Sequence, residues 1–316
     1  MIIYILIYIL IYINMFTIFE RYDIIIMQLV IVAYYLSEKE TLMKIASDAA
    51  LKGGVGKTEI IKNLAEDCAR NGYKVLLLDG DHQCNLSHDY GVYDVDGSIE
   101  NIFTSEEEIK IHHIKDNLDL IAGSMNLDEI EKSLETDPSK DMLMYMWFED
   151  NFDKYHLDEY DFILIDCRPD FSTVTRNAAV VSHAILSPIT PSQNGYSAKF
   201  NLEERLERFK ASTIDYKTRE SFVTAELFFV ANMIKHNTKS SRDFLAAIED
   251  DDRVIARIPY KELFNRSALE GQSVIEMQDD DSIYLRNKDF YDTINREFSK
   301  IREVIMKIDE VTEDGI

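Results

Sequence analysis

Positive charge is short in this sequence relative to negative. The 316 residues include 34 Lys and Arg against 58 Asp and Glu, a formal net charge of -24 at pH 7. That balance excludes a surface that is basic all over, and with it strong unassisted binding to nucleic acid; only a local basic patch remains open. Cysteine is scarce too. Cys68, Cys84 and Cys167 lie far apart without a Cys-x-x-Cys pair, which excludes a disulfide framework and a zinc or iron–sulfur site and fits a reducing cytosol. With 11 Gly and 5 Pro there is no Gly/Ser/Pro linker, nor any internal repeat. An apolar content of 46% is ordinary, so the chain can bury the core of one large α/β domain or two small ones.

The first 42 residues read unlike the rest. Met1–Phe19 is an apolar run just long enough to cross a bilayer, whereas Ile24–Leu36 is too short to span alone. No Lys or Arg precedes the first run, so it lacks the charged start of a signal peptide, and only Arg21 could set topology. Repeated Ile-Tyr-Ile is what AT-rich DNA yields when read as codons. Glu38-Lys39-Glu40 can be encoded by a purine-rich ribosome-binding sequence just ahead of Met43. The expectation is a leader over 1–42, with translation starting at Met43; a membrane anchor is the alternative. The acidity belongs to the chain after Met43, because the leader holds only four acids and two bases.

From Lys44 onward short β-rich runs alternate with helical patterns, which predicts a mainly parallel, doubly wound sheet flanked by helices. Strands are expected at Ile45–Ala49, Lys74–Leu78, Leu118–Ile121, Phe162–Ile165, His183–Leu186, Leu227–Val230 and Val254–Ile258. Helices are expected over Thr58–Arg70, Phe200–Phe209 and Phe290–Met306, and a helical insertion over Leu127–Tyr155. Residues 43–316 read as a single domain.

Between the first strand and first helix stands Lys52-Gly53-Gly54-Val55-Gly56-Lys57-Thr58. Glycines there let successive backbone N–H groups converge on an anion, and the helix adds its N-terminal dipole. Lys57 supplies a mobile cation for the β- and γ-phosphates, and the Thr58 hydroxyl suits magnesium. Gly53, Gly54, Val55, Gly56, Lys57, Thr58 and Glu59 are the expected binding segment for Mg-ATP. A second lysine at the opening of the loop has no role in an ordinary P-loop. With Lys52 in place the segment resembles the ParA/MinD family of deviant Walker ATPases. In that family the first lysine crosses an ATP-sandwich homodimer to the partner's nucleotide. The resemblance implies this catalytic role for Lys52.

Two further segments carry the resemblance. Asp79-Gly80-Asp81-His82-Gln83-Cys84-Asn85 follows a buried strand and is similar to the family's Asp-x-Asp-Pro-Gln-Gly-Asn, with His82 in place of proline. By that match Asp81 orients the attacking water and Asp79 supports the magnesium shell; a plain turn at a strand end is the other reading of these acids. Asp166, closing the strand that starts at Phe162, fits the Walker B position and holds magnesium through water. Arg168 stands where the family has a proline; it either senses nucleotide or pairs with a surface acid. Asn232, after one late strand, and Pro259, after another, resemble segments that embrace adenine, and Asn232 is the candidate for reading the base.

The resemblance implies ATP hydrolysis that times the release of a dimer from a surface, in the manner of plasmid or chromosome partition with a ParB-like partner. The acidic end, residues 308–316, argues against anionic lipid. Non-specific DNA binding would need basic residues on one face; candidates are Lys235, Lys239, Arg242, Arg266, Arg286, Lys288, Arg296, Lys300 and Arg302. A regulatory switch that binds a protein and never touches DNA is the alternative.

Overall fold

The structure, a computed structural model, describes residues 43–93 and 96–308. The leader over 1–42 and the acidic tip beyond 308 lie outside the described residues. β1 (Lys44–Asp48) leads through the glycine loop into α1 (Lys57–Arg70), and β2 (Val75–Gly80) is followed by α2 (Asn85–Asp89) and α3 (Glu100–Thr104). A hairpin of β3 (Ile111–Lys115) and β4 (Leu118–Ile121) precedes α4 (Leu127–Ser133) and α5 (Leu143–Asn151). β5 (Phe162–Cys167), α6 (Thr173–Val181), β6 (Ala184–Ile189), α7 (Gln193–Ser212), β7 (Glu226–Ile234), α8 (Lys239–Ala247) and β8 (Val254–Pro259) then alternate. Four helices complete the described chain: α9 (Glu262–Glu270), α10 (Val274–Met277), α11 (Asp281–Arg286) and α12 (Lys288–Lys307).

The eight strands form one sheet in the order β3-β4-β2-β5-β1-β6-β7-β8. Every pairing is parallel except that of β3 with β4. The expected doubly wound α/β sheet is present, and one strand was missed. Ile-His-His-Ile-Lys of β3 lies half-exposed at the sheet edge, where no continuous apolar run is needed.

The inner strands are apolar on both sides because helices cover both faces. Val75 and Leu77 join the cluster of α1 and α12, with Ile61, Leu64, Ile294 and Phe298, while Leu76 and Leu78 join Ile102, Trp147 and Phe148 on the other face. The segment expected as an insertion therefore supplies part of a core layer, through α5. α12 buries Phe290, Tyr291, Ile294, Phe298, Ile301 and Ile305, each contributing about 1.5–3 kcal/mol by burial. Met43–Ile316 forms one compact unit. Among the described residues no helix is long and apolar enough to cross a membrane.

β1 lies between β5 and β6, and β2 lies on the far side of β5. In open sheets of this kind ligands bind beyond the carboxyl ends of the strands where the winding reverses. The glycine loop leaves β1 at that place.

Candidate active site

The phosphate loop is shaped by its glycines and held from behind. Gly54 and Gly56 have φ of 72° and 90°, a region L side chains rarely adopt, and Gly56 caps α1. A Cβ on Gly56 would also fall onto Nδ2 of Asn232. That amide donates to the Val55 carbonyl at 2.8 Å, and its oxygen accepts from the Met233 N–H at 2.8 Å. Met233 turns left-handed (φ 56°) where the register between β7 and β8 shifts, which swings Asn232 under the loop. Asn232, expected to read the base, is thus seen bracing the loop. Pro259 sits at the end of β8, three strands from β1.

The Glu59 carboxylate accepts from Asn63 and from Ser267 of α9, each at 3.2 Å. Lys57 is buried at the head of α1. Lys52 is exposed and makes no hydrogen bond or ion pair among the described residues.

Three carboxylates line the sheet beneath the loop. In β2 the residues facing α1 are Val75 and Leu77, so the next of that parity is Asp79; in β5, Phe162 and Leu164 lead to Asp166. Asp79 and Asp166 are register partners. Ser47 pairs with Ile165, which sets Asp48 beside Asp166, on the face of Ala46. Each of these three acids is fully buried. Asp79 and Asp166 are the two expected from sequence, and Asp48 is the third, which was not foreseen. The available signal was that all three strands, Lys-Ile-Ala-Ser-Asp, Val-Leu-Leu-Leu-Asp and Phe-Ile-Leu-Ile-Asp, run into an aspartate.

Burying a carboxylate disfavours its charged form, and neighbouring acids add to that. Burial pushes Asp48 up to about 6, opposed chiefly by the Lys57 cation. Asp79 is pushed up to about 7 by burial and then by Asp166. Asp166, between the other two, is held well above the usual carboxylate range by burial and by Asp48.

The three do different work. Asp79 Oδ2 accepts from the Ser87 N–H (2.9 Å) and hydroxyl (2.6 Å), and Oδ1 accepts from the Asp81 N–H (3.2 Å). Ser87 Oγ in turn accepts from the Gly123 N–H at 2.8 Å, a link not foreseen from sequence. Asp79, expected in the magnesium shell, therefore has both oxygens turned to the loop that carries Asp81. Asp81 is buried, accepts from the Gln83 N–H at 3.0 Å, and has His82 Nδ1 3.2 Å from its Oδ1.

Both oxygens of Asp166 and Oδ2 of Asp48 are buried without a hydrogen-bond partner. The Thr58 hydroxyl lies close to Asp166 and draws its carboxyl back toward the charged form. Orphaned carboxylate oxygens beside a hydroxyl and the phosphate loop fit a hard cation that takes oxygen ligands. No three His, Cys, Asp or Glu side chains among the described residues converge as a metal site by themselves. Magnesium suits this, since it is held by one or two carboxylates together with substrate phosphates.

Arg168 pairs with Asp128 and, at 3.0 Å, with Glu131 of α4, and its Nε lies 2.6 Å from Asp170. Of its two readings, the pairing with acids is the one present.

A family model described as an AAA domain matches residues 43–216. The chain is 26% identical to the probable plasmid-partitioning protein ParA of Thermus thermophilus, over 78% of this chain and 77% of that one. It is 32% identical to the sporulation initiation inhibitor protein Soj of Bacillus subtilis over 152 residues, 46% of this chain and 58% of Soj. A solved plasmid partition protein of Borrelia burgdorferi, bound to AMPPNP, superposes with a TM-score of 0.66 at 21% identity, covering 84% of this chain and 98% of that one. Loop, carboxylate row and matches agree: the chain belongs to this AAA-domain family of P-loop proteins and is similar to the proteins named ParA and Soj.

Proposed function

We propose that the protein is a Mg-ATP-dependent, dimerising ATPase of the ParA type that hydrolyses ATP to ADP and phosphate and drives plasmid or chromosome partition in the cytoplasm. One observation carries most of the weight: a loop with a buried Lys57 stands over orphaned carboxylate oxygens, while Lys52 stands exposed and unpaired beside it.

In this reading the backbone N–H groups of Gly53 to Thr58 cradle the phosphates, and Lys57 turns from the aspartates to the β- and γ-oxygens. Thr58 and Asp166 hold magnesium, which when bound neutralises charge on the triphosphate. Asp81, fixed by the Asp79–Ser87 hydrogen bonds, orients the attacking water. Lys52 reaches the triphosphate of the second subunit and neutralises charge there during phosphoryl transfer. Asn232 and Pro259 bound the base side of the site, Asn232 through its grip on the loop.

The partners of this reading are a second copy of the chain, a ParB-like centromere-binding protein and non-specific DNA. One observation favours the alternative, a protein-binding switch indifferent to DNA. Arg266 is paired with Glu270, Arg296 and Lys300 with Glu297, and Arg302 with Asp67, and Lys235 lies over the Tyr260 ring. Of the candidate basic residues, Lys235, Lys239, Arg242, Arg286 and Lys288 keep no ion pair among the described residues.

The test is sedimentation of the purified protein with AMPPNP and magnesium, with a DNA gel shift across a salt series. A dimer that Lys52→Ala or Lys57→Ala abolishes, together with salt-sensitive DNA binding, supports partition. A dimer that ignores DNA at low salt selects the protein switch. A monomer with unchanged turnover in Lys52→Ala overturns both.

A further inference from the structure

We infer that Asp48 is a second carboxylate of the magnesium site, acting with Asp166 on the cation that accompanies the nucleotide; this rests on the ATPase reading above. Asp48 closes β1 on the face that carries Asp166 in the adjacent strand, and the two strands are in register up to Ser47 and Ile165. Adjacent strands lie about 4.8 Å apart, so one hydrated ion reaches both carboxyl groups. Asp48 Oδ1 is fixed by the Cys167 N–H at 2.9 Å, which aims Oδ2 away from that bond. Oδ2 is fully buried and has no partner, as are both oxygens of Asp166.

A buried, unpaired carboxylate in a row of like charges is costly unless a cation answers it. Lys57 is the cation near Asp48. Once Lys57 engages phosphate, the Asp48–Asp166 pair is left without it, and a divalent ion is the charge that fits. Asp79 does not compete for this role, because Ser87 and Asp81 occupy its oxygens. Asp48 therefore opposes the bare triphosphate and favours the metal-loaded one. The site is made selective for the nucleotide with its ion.

The experiment uses Mn2+ as a paramagnetic stand-in for magnesium. Free Mn2+ is measured by electron paramagnetic resonance in the presence of AMPPNP and the full-length protein. AMPPNP affinity in EDTA is measured separately. Asp48→Asn keeps an acceptor for the Cys167 N–H and removes one buried charge. The expected result is Mn2+ affinity weakened by about tenfold, the lower end for a group that supports a bound metal, and metal-free AMPPNP bound severalfold more tightly. These changes have opposite signs, which a merely damaged fold does not produce. Asp166→Asn should weaken Mn2+ in the same direction and serves as the reference. Asp48→Ser, with a smaller acceptor, replaces Asp48→Asn if that variant precipitates. Unchanged Mn2+ affinity, or a parallel loss of AMPPNP with and without metal, overturns the role of Asp48 and leaves the ATPase reading standing. Failure of the wild type to bind AMPPNP with Mn2+ overturns that reading, and this inference falls with it.

Discussion

At the scale of single residues, the phosphate loop depends on two absences of side chain and one amide. Gly56 combines a left-handed backbone with an approach by Asn232 that leaves no space for a methyl group. Gly56→Ala should destabilise the protein by about 1–3 kcal/mol, from the backbone conformation and the clash together. Adding Asn232→Ala should recover only the part owed to the clash. Urea unfolding of the single and double variants measures both, and an unaltered midpoint in Gly56→Ala would remove the argument. The glycine loop itself was plain in the sequence, because Gly53 to Thr58 is a local pattern. Asp48 was not, although it lay inside a predicted strand. Its meaning comes from being level with Asp166, and the register between two strands more than a hundred residues apart is not written in either of them. The hold of Asn232 on the loop was not legible for a related reason: it goes with the left-handed turn at Met233, where β7 and β8 shift register against each other.

At the scale of elements, the helices are fastened to the sheet by buried charges as well as by apolar faces. Glu66 on α1 meets Lys115 at the end of β3, Lys115 also meets Glu276 on α10, and the Tyr90 hydroxyl donates to Glu66 at 2.9 Å. Burial, and after it Glu276, raises the Glu66 carboxyl above its ordinary range, while Lys115 and Tyr90 pull it down. A carboxyl raised in the folded state lends stability that is complete below its unfolded value and is lost as pH climbs through the folded one. Glu66→Gln is neutral at every pH, so its stability relative to wild type should grow between pH 4.5 and pH 8. Denaturant midpoints at both ends check the sign. Arg168 does a comparable job after β5, holding α4, while Glu131 of α4 also accepts from the Val174 N–H of α6 at 2.8 Å. Arg168→Ala should loosen α4 by about 1–2 kcal/mol, below the cost of breaking a fully buried pair because Asp128 is 40% exposed. Hydrogen exchange over residues 127–133 should quicken by roughly tenfold, with little change in α1. Strand positions were readable from their continuous apolar runs. The covering role of α5 was not, since a helix whose Trp147 and Phe148 fill a layer looks locally like any helical insertion.

At the scale of the whole molecule, the doubly wound sheet and its eight-strand order bring the ends of β1, β2 and β5 together, and all eight strands lie after Met43. A protein starting at Met43 should therefore melt cooperatively and bind AMPPNP as tightly as the full chain. Calorimetry and a nucleotide titration of the two forms side by side measure this, and a more than threefold weaker affinity in the shorter form would count against it. The ammonium of Lys44, at the opening of β1, donates to the Ile308 carbonyl at 2.6 Å, just past the end of α12. The start of β1 and the end of α12 are thus stitched together at the edge of the sheet remote from the glycine loop. A fluorophore or an affinity handle joined beside Lys44 or Ile308 should therefore leave AMPPNP affinity unchanged, because both residues lie at the opposite edge of the sheet from Lys52 and the glycine loop.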